Sequence, residues 1–331
     1  MVSLSVSQPP RHGSGPRPVN LKTDLAPLAD LIELAFADSM DQGGRAAIRE
    51  MRTLSRVGPG LGIVPGMNDL ILGLGMGYVW VEDQRLIGNV SIYPASLPPE
   101  AGRASIIANV AVHPDYRGRG IARHLMNDSL NSIRRRGPGA VILQVETQNW
   151  KARELYESLG FREEGAFVTW RRAAANPPPP VDGGPAVMRR GWGGWRIEYA
   201  LAQSARPQAQ GGIGWLRPVV PSLFRASVRK PIADSFNLRS TERLVTRAND
   251  GHNLNASLWI ERAFISSAIQ LTLLLHPAAP DADRRALLLM AVRRFGAGNT
   301  LIIEHPLADQ GSSALLESCG LRRTRALVHM R

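Results

Sequence analysis

The stretch Ile106-Ile-Ala-Asn-Val-Ala-Val-His-Pro-Asp-Tyr-Arg-Gly-Arg-Gly-Ile-Ala-Arg-His-Leu-Met126 constrains the fold more than any other part of the chain. Its apolar opening, Ile106 to Val112, has the length of a buried strand. Pro114 ends that strand, because proline lacks an N–H and holds its predecessor extended. After Arg117-Gly118-Arg119-Gly120 the spacing turns helical, with Ile121, Leu125, Leu130 and Ile133 on one side and Arg123, Asn127, Asn131 and Arg134 on the other. Strand, glycine loop and helix together aim unpaired backbone N–H groups at an anion. The glycines let the backbone come close, and the helix N-terminus adds partial positive charge. Two loop arginines favour a phosphate. Taken alone, the same residues also fit an ordinary turn.

Downstream, Gly137-Pro138-Gly139 stops the helix and Ala140 to Glu146 reads as a second buried strand. Asn149 to Phe161 then has a full helix grammar. Asn149 is the N-cap, Ala152, Leu155, Tyr156 and Leu159 form the apolar face, and Gly160 ends the helix ahead of Phe161. Two motifs at this separation, Val110-Ala-Val-His-Pro-x-x-Arg-Gly-Arg-Gly-Ile-Ala and Asn149-x-x-Ala-x-x-Leu-Tyr-x-x-Leu-Gly-Phe, carry a resemblance. The chain resembles the GNAT superfamily of acyl-CoA-dependent N-acetyltransferases, in wording close to members that acetylate protein N-termini.

Composition narrows the alternatives. No apolar run approaches the roughly 18 residues of a membrane span. The first ten residues lack the basic start and apolar core of a secretory signal, so no membrane partner is expected. One cysteine, Cys319, excludes an internal disulfide and fits a reducing cytoplasm. A net charge of +12 invites a nucleic-acid reading, yet the arginines are scattered and no basic helix is interleaved with aromatics. Arg-rich composition and a polyanionic co-substrate account for the charge, and nucleic acid is not the expected partner. The histidines show no metal-ligand spacing, and no Ser-His-Asp or Gly-x-Ser-x-Gly pattern points to a hydrolase.

Read in order, residues 1–16 are a polar, disordered tail. Pro18 to Leu21 is a short strand, Thr23 or Asp24 caps a helix, a second helix covers Arg45 to Ser55, and a glycine-rich loop runs from Gly58 to Gly77. Tyr78 to Tyr93 is a hairpin turning at Glu82-Asp83-Gln84. The resemblance implies an α/β fold, a mixed and largely antiparallel sheet flanked by helices, over residues 17–173. A Pro/Gly-rich linker occupies 174–189. From 190 to 331 the sequence weakly repeats the first half. Ser313-Ala-Leu-Leu-Glu-Ser-Cys-Gly-Leu321 echoes Arg153-Glu-Leu-Tyr-Glu-Ser-Leu-Gly-Phe161, and Leu301 to His305 echoes Val141 to Val145. Pro280-Asp-Ala-Asp-Arg-Arg stands where the glycine loop should be, and Leu316 replaces the tyrosine. The second half is therefore expected to be a degenerate GNAT-like domain with no working acyl-CoA site. The roles left to it are covering the first domain, shaping the acceptor cleft, or forming a homodimer.

The resemblance also implies roles for individual residues. Val110, Ala111 and Val112 would pair with the pantetheine arm of acetyl-CoA and face the developing oxyanion. The pyrophosphate would rest on Arg117, Gly118, Arg119, Gly120, Ile121, Ala122 and Arg123. Tyr156 would protonate the departing thiolate, and a buried amphipathic tyrosine is the bland alternative. Asn149 would hold the pantetheine arm, cap its helix, or both. N-terminus-acetylating relatives have a glutamate at the position of Gln144, which cannot take a proton. Glu146, two residues on and on the same strand face, is the expected base. The expected activity is acetyl transfer from acetyl-CoA, with no metal, to a primary amine of unknown identity. The competing expectation is a non-catalytic acyl-CoA sensor or interaction protein on the same scaffold.

Overall fold

A computed structural model describes residues 14–37, 40, 42–57, 75–174, 184–225, 239–248, 250–263 and 267–331. The expected tail up to residue 13, the glycine-rich loop over 58–74 and the proline run at 175–183 lie outside the described residues. By packing, the chain separates into two units, one containing Arg103–Leu143 with the residues up to Ala95, the other Ser96–Gly102 with Gln144–Arg331.

In the first unit the elements are β1 (Gly15–Pro18), α1 (Leu25–Ala35), α2 (Gln42–Val57), β2 (Tyr78–Glu82), β3 (Arg85–Pro94), β4 (Ala104–Val112), α3 (Ile121–Arg135) and the start of β5 (Ala140–Glu146). The strands lie in the order β1-β2-β3-β4-β5, antiparallel except for the parallel β4–β5 pair. Asp83 and Gln84, at φ 49° and 62°, close the β2–β3 hairpin with the twist that adjacent strands need. Leu25, Leu28, Ala29 and Ile32 of α1 pack with Ile48, Met51 and Leu54 of α2 and with Val79 and Val81 of β2. Each such large aliphatic residue is worth roughly 1.5–3 kcal/mol when fully buried. Helix α3 seats on the sheet over Gly88, where a Cβ would come within 2.9 Å of Ile121 and 3.0 Å of Leu125.

Two expectations are corrected here. The first strand is Gly15–Pro18 rather than Pro18 to Leu21, so the structured chain begins earlier than residue 17. Asp24 holds the N-cap position of α1 without a side-chain cap bond. Its carboxylate is taken instead by Arg17 (2.6 and 2.8 Å) and by the Asn20 N–H (2.7 Å), which ties β1 to the start of the helix. Burial pulls this carboxyl upward, but those hydrogen bonds outweigh it and hold the group below its ordinary range.

The second unit contains α4 (Trp150–Ser158), β6 (Glu163–Arg172), β7 (Met188–Arg189), α5 (Trp195–Ala205), α6 (Pro221–Phe224), β8 (Arg239–Arg247), β9 (Leu254–Ala263), β10 (Ala268–Leu275), α7 (Asp281–Phe295), β11 (Thr300–Pro306), α8 (Gln310–Ser318) and β12 (Arg322–Met330). Its strands run β12-β6-β11-β10-β9-β8-β7, antiparallel except for β10–β11. Its main core combines Trp170 of β6, Leu258 and Ile260 of β9, Leu271 and Leu273 of β10, and Leu287 and Leu288 of α7. Strand β6, expected to close the first domain near 173, sits between β12 and β11 and bonds to both. The packing division at Leu143 is thus not the division by sequence repeat.

The repeat itself is visible in the elements, which match one for one at a constant offset. Helix α7 (Asp281–Phe295) answers α3 (Ile121–Arg135), β11 (Thr300–Pro306) answers β5 (Ala140–Glu146), and α8 (Gln310–Ser318) answers α4 (Trp150–Ser158). The parallel pairs correspond as well, Ala104–Ile107 with Ala140–Leu143 and Ala268–Leu271 with Thr300–Ile303.

Polar groups buried in the second unit are closely matched. The fully buried Glu198 carboxylate accepts from Ser257 Oγ (2.6 Å), Trp259 Nε1 (2.7 Å) and Arg243 (2.8 Å), and pairs with Arg190 at 3.0 Å. His305, 1% exposed, lies 2.8 Å from an Arg206 nitrogen and 2.9 Å from Asp309. Burial, then the Arg206 charge, push its imidazole down to about 4. Among the described residues no helix is long and apolar enough to cross a membrane.

The pH dependence follows. Between about 4 and the ordinary 6.5 the unfolded chain binds a proton at His305 that the folded chain refuses. The stability from the neutral ring is complete above 6.5 and declines as pH falls toward 4, by roughly 3 kcal/mol at the conversion of 1.36 kcal/mol per unit. Unfolding midpoints measured across that range should fall less steeply for His305→Gln than for the wild type.

Candidate functional site

The first group of predicted site residues lies on β4 and the loop behind it. Strand β4 pairs with β5 only over Ala104–Ile107, whereas on its other side it pairs with β3 as far as Val112↔Gly88. The β3–β4 register slips between Asn89↔Ala111 and Ser91↔Ala108, so Asn109 and Val110 together oppose Val90. This is a β-bulge, and Asn109 occupies it at φ 51°. Asparagine tolerates that left-handed conformation better than any residue but glycine, and here its neighbours hold it. Asn89 Nδ2 donates to the Asn109 carbonyl (2.9 Å), and Asn109 Nδ2 reaches Ser91 Oγ (3.3 Å) and Tyr93 Oη (3.4 Å). None of these polar side chains was singled out in the sequence. The signal was an asparagine inside an otherwise apolar strand.

Beyond Val112 the loop is exposed. His113 opens a single 3-10 turn, Pro114–Tyr116, by accepting the Asp115 N–H at 3.4 Å, and Arg117 Nε donates to the Val112 carbonyl at 3.2 Å. Gly118 and Gly120 then take φ 80° and 76°. A Cβ on Gly118 would meet nothing within 4 Å, and one on Gly120 only the His124 ring at 3.7 Å. The α3 ladder starts with the His124 N–H bonded to the Gly120 carbonyl, 3.1 Å away. The amides of Ile121 and Ala122 therefore precede the first intrahelical bond. Backbone donors, room for close approach and a helix N-terminus coincide, and these residues fit a pyrophosphate. Arg119 is held by both oxygens of Glu82 (3.0 and 2.9 Å), with its guanidinium 5.3 Å from the Tyr116 ring, a pairing that spacing did not reveal.

The second group belongs to the other unit. Asn149 caps α4, accepting the Ala152 N–H at 3.2 Å, so the capping role is realised. Gly160 at φ 94° ends the helix, and the Phe161 N–H returns to the Tyr156 carbonyl at 3.1 Å. Tyr156 is 6% exposed, edge-on to Phe161 at 6.1 Å, and burial pushes its phenol up to about 12. The ring keeps its proton across the neutral range, the state in which a proton donor must rest. Glu146 is paired with Arg325 at 3.3 Å. Gln144 lies 2.9 Å from His329 Nε2.

Residues 68–161 match the sequence model of the Acetyltransferase (GNAT) family. Over its whole length the structure is similar to a GCN5-related N-acetyltransferase from Sphaerobacter thermophilus, at TM-score 0.58 and 15% identity, covering 95% of this chain and 94% of that one, which speaks for the fold alone. The chain belongs to the GNAT superfamily. Among sequence relatives, it is 38% identical over 104 residues to the mycothiol acetyltransferase of Rhodococcus jostii, covering 30% of this chain and 33% of that protein. It is 40% identical over 75 residues to the ribosomal protein bS18-alanine N-acetyltransferase of Escherichia coli, covering 23% of this chain and 46% of that protein. The chain thus spans between a third and a half of the length of these two relatives.

The second GNAT-like copy lacks each of these features. From the last parallel pair to the helix start the first copy runs from Ile107 to Ile121, and the second only from Leu271 to Asp281. The Pro280-Asp-Ala-Asp segment, expected to occupy the loop, is the first turn of α7 behind this shortened connection. Strand β10 pairs with β9 without a bulge. Pro280 replaces the left-handed glycine, and Arg284 turns back onto the carbonyls of Ala279 and Pro277, each at 3.1 Å.

Asn109 is the testable hinge of the bulge. Asn109→Val should cost roughly 1–2 kcal/mol, the penalty for a branched residue in left-handed geometry. Asn109→Gly should cost clearly less in the same denaturant titration, because it removes the side chain and keeps the conformation.

Proposed function

We propose that the protein is an N-acetyltransferase that moves an acetyl group from acetyl-CoA to a primary amine by direct attack. The observation that carries this reading is one continuous segment. A strand released from its parallel neighbour after Ile107 and bulged at Asn109 runs into a glycine loop and a helix start that fit a pyrophosphate. In this reading the backbone of Val110, Ala111 and Val112 holds the pantetheine arm and polarises the thioester carbonyl. Gly118 to Arg123 hold the phosphates, and Asn149 adds a contact to the arm. The amine nitrogen bonds to the acetyl carbon, the carbon–sulfur bond breaks, and Tyr156 gives its proton to the sulfur. The printed name of the bS18-alanine relative supports a peptide-like N-terminal amine as the acceptor. The lone, buried Cys319 supports a cytoplasmic setting.

A second reading, an acyl-CoA-binding protein without turnover, draws on Gln144, which cannot take a proton, and on the pairing of Glu146 with Arg325. The two readings separate by experiment. Acetyl-CoA at 100 times its dissociation constant should stabilise the fold by about 2.7 kcal/mol. Gly120→Asp should abolish most of that shift, because its carboxylate repels the phosphates and its backbone is strained. Tyr156→Phe should keep the shift but release CoA in the presence of an acceptor amine about 100-fold more slowly or worse. No shift in the wild type sinks both readings, and a shift without CoA release on any amine leaves only the second.

A further inference from the structure

Direct attack needs a group that takes a proton from the amine, and the first copy supplies none at Gln144. The second unit offers one on a nearby strand. His329 of β12 is 5% exposed, stacked on Phe167 of β6 (4.5 Å, 13°) and edge-on to Trp215 (5.2 Å). Its Nε2 lies 2.9 Å from Gln144 Nε2 and 3.1 Å from Glu304 Oε1 of β11. The Glu304 side chain is 33% exposed, and its other oxygen faces the Trp215 N–H at 3.4 Å.

Three observations set Glu304 apart from a structural ion pair. The first is register: Glu304 holds in Thr300–Pro306 the place that Gln144 holds in Ala140–Glu146, so the carboxylate absent from one copy is present in the other. The second is place. Gln144 directly follows Leu143, the last residue of β5 that pairs with β4, where the strand edge proposed to receive the thioester begins. The third is chemistry. Glu146, Glu163 and Glu164 are paired with Arg325, Arg153 and Arg331 at 3.3, 3.0 and 3.0 Å, permanent cations that oppose proton uptake. Glu304 faces an imidazole, which can itself accept a proton.

We propose that Glu304 is the general base of this protein, with His329 the positioning residue that receives the proton behind it. This rests on the acetyltransferase reading. As the nitrogen–carbon bond forms and the carbon–sulfur bond breaks, the nitrogen's proton passes to a Glu304 oxygen and on to His329 Nε2. The electron pair leaves with sulfur, which takes the Tyr156 proton, and solvent resets both groups. The imidazolium so formed faces the Glu304 carboxylate, while the Gln144 amide turns its oxygen to the same N–H.

The test uses the full chain with acetyl-CoA and a panel of an alanine-initiated peptide, spermidine, tyramine and glucosamine, followed by CoA release. Glu304→Gln should lower kcat about 100-fold or more with the acetyl-CoA KM unchanged. Adding Gln144→Glu to that variant should restore at least a tenth of the wild-type rate, because the carboxylate returns on the facing strand. His329→Gln should lower kcat less and shift the acidic limb of its pH profile. Without any acyl donor, the His329 ring titration followed by NMR should move to lower pH in Glu304→Gln, since Glu304 is the charged group within ion-pair distance among the described residues. A wild type that turns over and a Glu304→Gln variant that matches it overturn the assignment alone, as do failed rescue by Gln144→Glu and an unmoved titration. A wild type that binds acetyl-CoA and turns over no amine overturns the acetyltransferase reading and the base assignment with it.

Discussion

The site depends on a backbone constraint, the loss of pairing on one side of β4 after Ile107. A strand interior normally has both rows of its N–H and C=O groups engaged, and an unengaged row inside a protein is costly. Here the β3 side stays paired to Val112, and the bulge at Asn109 twists the remaining residues away from the regular ladder. The strain of a left-handed asparagine is offset by Asn89, Ser91 and Tyr93, which turn a structural fault into a hydrogen-bonded cluster. A row of backbone groups is thereby left for a ligand that can pair like a strand. The glycine loop continues the same logic, presenting donors at a helix start where two left-handed glycines open the approach.

The second copy shows which features the fold requires and which the chemistry requires. Helices, parallel strand pair and helix endings recur there, with buried Leu316 in place of buried Tyr156 and an Asp309 cap in place of Asn149. Those positions serve packing and capping, and packing accepts either residue. The bulge, the longer connection into the helix and the left-handed glycines do not recur. They contribute nothing to the core, so they are what a copy relieved of acyl-CoA binding loses first.

Much of this was legible locally. The glycine loop, the hairpin turn at Asp83-Gln84, the Asn149 cap and the left-handed Gly160 each follow from a few neighbouring residues whose conformational demands are strong. The first strand and the Asp24 cap were misread because Arg17, on the strand before the helix, competes for the Asp24 carboxylate more strongly than the helix N-terminus does. The insertion of β6 between β11 and β12 left no local trace, since strand order is decided by partners far away in the chain. The Gln144–His329 contact joins equally distant stretches and was invisible for the same reason.

That long-range contact changes how the glutamine at 144 is to be understood. Judged within its own repeat, it is a base position that has lost its function. Judged within its packing unit, it is one member of a cluster whose other members, Glu304 and His329, come from β11 and β12. An amide can donate to a neutral imidazole and accept from a protonated one, so it suits a neighbour that changes charge. A second carboxylate at 144 would add a like charge close to Glu304 and make each harder to ionise. With Glu304 facing His329, glutamine is the residue that keeps a single anion in the cluster.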